Sequence, residues 1–171
     1  KLREEVKGNL EREVRRRIQA QIKEQVMNAL LAVTPIEVPK ALVQAESQQL
    51  ADNARRDLEM RGLKTKDIPV DPSWFTEQAE RRVKLGLIMA ELVKANELHA
   101  KPEQVRALVE EMAQSYEDPS ELVRWYYAQP ERLAQADAVV IEDNVVCWVC
   151  EKAETTDKPV AFDELMGNNA A

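Results

Sequence analysis

Eight apolar residues recur at every fourth position near the start of the chain: Leu2, Val6, Leu10, Val14, Ile18, Ile22, Val26 and Leu30. That spacing selects an α-helix, and no proline interrupts it before residue 34. At about 100° per residue, each step of four advances the stripe by about 40°, so seven steps turn it by about 280°. One flat partner cannot cover such a stripe from end to end. Met27, Ala29, Leu31 and Val33 enrich the second half. The expectation is one helix over residues 1–33, about 50 Å long. Residues 20–33 should enter a core, and residues 1–17 should lie in a thinner, more solvated layer. Starting at Lys1 with no methionine and no capping residue, the pattern reads as a cut through a longer helix.

Prolines punctuate the rest of the chain. Thr34-Pro35-Ile36-Glu37-Val38-Pro39 ends the first helix, because two prolines four apart forbid a continuous hydrogen-bond ladder. A second helix is expected from about Pro39 to Arg61. Its apolar set is sparse (Leu42, Val43, Leu50, Leu58 and Met60), so it should pack on one side only. Gly62 to Pro72 reads as a connector in which Asp71 caps the next helix and Pro72 takes its first position. The third helix, about 73–95, carries Trp74, Phe75, Ala79, Val83, Leu87, Leu92 and Val93, widened by Leu85, Ile88 and Met89; it should be the most buried. Pro102 opens a fourth, to about Tyr116. Glu117-Asp118-Pro119 breaks it and caps a short fifth carrying Leu122, Val123, Trp125, Tyr126 and Tyr127. After Gln129-Pro130 a sixth spans about 131–152, although Val145–Val149 has strand-like composition. From Glu154 the chain reads as polar and irregular, with Phe162, Leu165 and Met166 as a last apolar anchor. The fold class is therefore all-α, with about six helices, no hairpin signal and no internal repeat.

The same residues exclude several chemistries. Gly8, Gly62, Gly86 and Gly167 lie too far apart for a phosphate-cradling loop, which argues against nucleotide and dinucleotide cofactors. His99 is the only histidine, so neither a His-based triad nor a His-rich metal site can be drawn. No cofactor, metal or catalytic residue is expected. No stretch approaches the roughly 18 apolar residues of a membrane span. Charge is uneven: residues 1–25 carry +3, residues 26–102 are neutral and residues 103–171 carry −10. The acidic end disfavours a nucleic-acid partner.

Four short features carry competing readings. Cys147-Trp148-Val149-Cys150 is a C-x-x-C, hence a redox pair, half a zinc site, or cysteine packed as a small apolar residue. With no second pair, no nearby histidine and an apolar setting, packing is favoured. Arg15-Arg16-Arg17 could touch phosphates, but Glu11 and Glu13 flank it as in a solvated mixed-charge face. Glu110-Glu111 and Glu142-Asp143 are adjacent pairs whose side chains diverge by about 100°, so they do not converge on one substrate atom. Trp125-Tyr126-Tyr127 spans about 200° of helix, so at least one ring must leave the buried face. An exposed aromatic platform for apolar segments and a small satellite core are equally good readings of that cluster.

Several segments, in order and covering nearly the whole chain, resemble the C-terminal domain of the trigger factor family of bacterial ribosome-associated chaperones. They are Ile36-Glu37-Val38-Pro39, Gln78-Ala79-Glu80-Arg81-Arg82-Val83, Ala95-Asn96-Glu97-Leu98, Glu110-Glu111-Met112-Ala113, Tyr116-Glu117-Asp118-Pro119 and Phe162-Asp163-Glu164-Leu165-Met166. The resemblance implies one helical domain over 1–171, an extended body with two protruding arms. Those arms would form an apolar-lined cradle that holds nascent or unfolded chains without ATP in the cytoplasm. It also implies that the family's ribosome-docking pattern, Gly-Phe-Arg-x-Gly-Lys, and its FKBP-like prolyl isomerase domain are not among these residues. This chain is then not an enzyme, and the ribosome is a partner only through the missing N-terminal part. Substrate-binding residues are expected at apolar positions of the arms: Leu42, Val43, Leu50, Leu58, Met60, Met112, Tyr116, Trp125, Tyr126 and Tyr127. The alternative is a helical assembly or homodimerisation scaffold for one folded partner. Neither reading involves a membrane.

Overall fold

The computed structural model describes residues 2–63, 70–114, 116 and 118–167, the side chains of 2 and 5 excepted. The Leu2 side chain of the apolar stripe, the middle of the 62–72 connector and Glu117 lie outside the described residues. Among those described, the architecture is all-α, with seven helices and no strand. They are α1 (Leu2–Val33), α2 (Lys40–Met60), α3 (Thr76–Asn96), α4 (Pro102–Ala113), α5 (Pro119–Tyr127), α6 (Pro130–Lys152) and α7 (Phe162–Met166). A 3₁₀ turn, Pro72–Phe75, precedes α3.

Local chemistry sets most boundaries. Asp71 accepts the Ser73 backbone N–H at 2.8 Å with Pro72 next in line, as expected for a cap. Asp118 repeats the device before α5, accepting from the Ser120 and Glu121 amides at 3.0 and 3.2 Å. Helix α2 stops at Gly62, which takes φ +80°. There the Leu63 and Gly62 amides return to the Leu58 and Glu59 carbonyls at 3.1 and 2.9 Å, a left-handed cap that glycine enters without penalty. Val145–Val149 is helical despite its composition, because a helix already propagating through α6 gains one bond per added residue. The tail read as irregular contains α7, five residues long and too short to show a period. Its last carbonyls, Leu165 and Met166, accept from Arg17 Nη1 at 3.4 and 3.1 Å, and Gly167 closes it at φ +72°.

The chain divides into two compact units: residues 1–28 with 92–171, and residues 29–91. In the first, α4, α5 and α6 pack on one another around Val105, Val109, Ala136 and Val140. Leu108, Val123, Tyr126 and Leu133 lie against that cluster. A polar clasp fixes the entry to α4. Asn144 of α6 donates to the Leu98 and His99 carbonyls at 3.3 Å and accepts from Gln104 Nε2 at 2.8 Å, while the Lys101 amide donates to Gln104 Oε1 at 3.1 Å. Each such bond stabilises by about 1 kcal/mol. Lys23 of α1 pairs with Glu142 of α6. Along α1, Val26, Met27 and Leu30 are buried, whereas Val6, Leu10, Ile18 and Ile22 are exposed. Ile22 and Val33, expected in the core with the rest of residues 20–33, stay open, so burial begins one turn later than expected, at Val26.

In the second unit, α2 presents Ser47, Leu50 and Ala51 to the interior and packs on the Pro72–Phe75 turn. Ala79 and Ile88 of α3 are buried, and Arg82 pairs with Glu46 at 3.0 Å. Helix α3 is less buried than its apolar count suggests. Leu87 is exposed and Trp74 stays 67% accessible, because it sits in the 3₁₀ turn and not on the helix. Advancing about 120° per residue, that turn takes Trp74 out of phase with the helical face.

Candidate binding surfaces

Helix α5 resolves the aromatic cluster. Tyr126, the middle ring, turns inward onto the α4–α6 core, and its hydroxyl donates to Met112 Sδ at 3.9 Å. Its neighbours step about 100° to either side and remain open, Trp125 at 48% and Tyr127 at 49%. The Trp125 and Tyr126 rings meet edge to face at 5.2 Å, 82° apart. Arg132 holds Trp125 from the other side, its guanidinium 3.6 Å from the ring centroid and Nη1 donating to the Trp125 carbonyl at 2.8 Å. So braced, an exposed indole loses little side-chain entropy when it meets a ligand. Tyr116, Asp118, Glu121, Leu122 and Trp125 line an open pocket of about 330 Å³. One ring is therefore core and two are surface, so the three do not together fill a satellite core. Met112, Tyr116, Trp125, Tyr126 and Tyr127 fall in this one neighbourhood, with Met112 and Tyr116 also exposed.

The candidates on α2 separate. Measured from Leu50, Val43 and Leu58 lie within about 80° of it, while Leu42 and Met60 share one line about 80° away on the other flank. Accordingly Val43 and Leu58 are half-buried, whereas Leu42 is exposed and Met60 is 79% accessible. Leu50 is 9% accessible, inside the core of its unit, and offers no free surface. Leu63, Trp74 and Val33 are exposed apolar residues of the same unit that were not among the expected contact positions; Trp74 and Val33 were expected to be buried.

A larger feature was missed altogether. Val6, Leu10, Val14 and Ile18 of α1, with Phe162 of α7, line a groove of about 850 Å³ rimmed by Arg3, Lys7, Glu11 and Arg15. Its floor is the exposed half of the every-fourth-residue stripe, which was the available signal. Phe162, from the other end of the chain, was the part that signal lacked.

The charged motifs have local duties. Arg17 pairs with Glu13 at 2.9 Å and caps α7, so the arginine run is partly spent on structure. Glu142 is taken by Lys23. Burial raises the Asp143 carboxyl above its ordinary value; nearby Lys23 opposes the shift, and Glu142 and Glu111 add to it. Cys147 and Cys150 are both free, Cys147 exposed and Cys150 half-buried. The packed reading thus fits Cys150 better than Cys147. Their side chains leave α6 about 200° and 140° round from the fully buried Val145. Among the described residues no three or more His, Cys, Asp or Glu side chains gather where they could hold a metal, and no helix is long and apolar enough to cross a membrane.

These features define a class: an all-α protein that keeps large apolar and aromatic side chains on the surfaces of both its units. Within that class the chain belongs to the trigger factor C-terminal family, matching over residues 1–151 the family described as "Bacterial trigger factor protein (TF) C-terminus". It is similar to trigger factor of Azoarcus sp., with 79% identity over 170 residues, 99% of this chain and 39% of the relative. Trigger factor of Aromatoleum aromaticum is 76% identical over the same shares. That of Herminiimonas arsenicoxydans is 56% identical over 170 residues, 99% of this chain and 38% of the relative. The chain thus spans about two fifths of the length of these curated relatives.

Proposed function

We propose that residues 1–171 are the polypeptide-holding module of an ATP-independent chaperone. The observation that carries the reading is that, in a member of this family, rigid helices leave large apolar side chains in the open. These include Trp125 and Tyr127 on α5, the Val6–Ile18 groove on α1, and Leu42, Met60 and Trp74 in the second unit. Covering one such side chain gains about 1.5–3 kcal/mol, so each site alone is weak. Several sites engaging one unfolded chain would bind it by avidity without demanding a sequence. The clients are nascent or unfolded polypeptides. Leu42, Met60, Met112, Tyr116, Trp125 and Tyr127 would make the contacts, with Val43, Leu50, Leu58 and Tyr126 supporting them from beneath.

The body-and-arms cradle, the cytoplasmic location, and a ribosome contact made by residues outside this chain belong to the same reading. Prolyl isomerisation, expected of the whole protein, is assigned to no residue of this chain. The test is competition. The chain should slow aggregation of several unrelated unfolded proteins, each displacing the others. Binding of one folded partner or of a second copy alone, with no effect on aggregation, would replace this reading with the scaffold.

A further inference from the structure

The function proposed for the chain leaves Cys147 and Cys150 unused. They lie in the last two turns of α6, three residues apart, so their side chains leave the helix about 60° from one another on one face. Both thiols are free and neither is fully covered. Helix geometry then limits what the pair can do. Side chains three apart hold their Cβ atoms about 5–6 Å from each other, whereas a disulfide needs about 3.5–4.5 Å. A disulfide would therefore have to distort the helix. A single ion between two thiolates, with bonds near the zinc–sulfur length, spans sulfurs up to about 4.6 Å apart, which the undistorted spacing admits. The ligand count narrows the ion. Structural zinc takes four ligands, and among the described residues no third His, Cys, Asp or Glu completes a cluster here. Two sulfurs alone suit a soft d¹⁰ ion that is content with linear coordination. The carbonyl end of α6 and the exposed Glu151 and Glu154 are negative and outweigh the one basic residue of the last turn, Lys152, so the setting is net negative and favours a cation.

We propose that Cys147 and Cys150 form a two-coordinate site for Cu(I) on the C-terminal turns of α6. On binding, each thiol releases its proton to solvent and each sulfur donates an electron pair to the ion. Copper stays Cu(I), so no electron changes hands and no oxidant is required.

The experiment is an anaerobic titration of the reduced full chain with Cu(I) against a chromogenic Cu(I) chelator. X-ray absorption of the loaded protein, circular dichroism and size exclusion complete it. The expected result is one Cu(I) withdrawn per chain, two sulfur neighbours at the metal, unchanged helicity and unchanged mass. Cys147→Ser and Cys150→Ser, each checked for native helicity, should each abolish withdrawal. Four outcomes would overturn the site: the chelator keeps the copper; a single serine variant competes like the parent; the stoichiometry is one copper to two chains; or mild oxidation gives a quantitative intrachain disulfide with no loss of helicity. Clients are not needed, so failure here leaves the chaperone reading intact.

Discussion

Ser47 places a hydroxyl in the interior of the second unit, 4% accessible, with no hydrogen-bond partner among the described residues. A buried donor left unmade costs about 1–3 kcal/mol. Ser47→Ala should therefore raise stability by about 1 kcal/mol, read as a higher urea midpoint. Gly62→Ala should do the reverse. Nothing stands within 4 Å of the added methyl, so the cost is the left-handed backbone alone, about 1–2 kcal/mol. The two cap aspartates make a pH prediction. The hydrogen bonds from Ser73 hold Asp71 below its ordinary range, the backbone one contributing most. The Ser120 side chain does the same for Asp118, helped by the Glu121 amide. With folded values depressed, the stabilisation is present above the unfolded value near 3.9. It is lost as pH falls from there through the depressed values. The amide signals of Ser73, Ser120 and Glu121 should report that loss before the helices melt. These caps were legible in the sequence because a cap is local. The burden at Ser47 was not, because it depends on what α2 packs against.

Helix α5 shows how far an element can be read in advance. At nine residues it is too short to persist alone, and it is held by Val123 and Tyr126 against α4 and α6. Tyr126→Ala should thus cost about 2 kcal/mol, less than the 3–5 of a fully buried ring, and loosen α5. Trp125→Ala should leave the urea midpoint nearly unchanged and weaken client binding about tenfold, the roughly 1.4 kcal/mol of a truncated aromatic contact. If Trp125→Ala unfolds the helix and Tyr126→Ala does not, the division of the cluster is wrong. The starts of α2, α4, α5 and α6 were legible because Pro39, Pro102, Pro119 and Pro130 write them into the chain, whereas α3 begins only at Thr76, after the 3₁₀ turn, and α4 ends at Ala113, short of Tyr116. Which of three adjacent rings turns inward was not, since about 100° steps allow any of them until the neighbouring helices are placed. The 3₁₀ turn hid Trp74 for a similar reason: its phase belongs to a helix type that the pattern did not distinguish.

For the whole molecule, the all-α class and the family were legible. The sequence carries the helical periods, and the family segments keep their order along it. The candidate surface was legible only in part. The exposure of Leu42 and Met60 followed from the sparse apolar face of α2, but Leu50 went to the core, and which rings of α5 stay open did not follow. The α1 groove needed Phe162 from the opposite end of the chain. The central claim is that these exposed side chains hold unfolded polypeptide. Its most direct test is NMR of the labelled 171-residue chain titrated with two unrelated unfolded proteins, beside an aggregation assay of each. Shifts at Leu42, Met60, Trp125 and Tyr127 for both clients, with aggregation slowed, are the predicted result. An unperturbed spectrum with unslowed aggregation would contradict it.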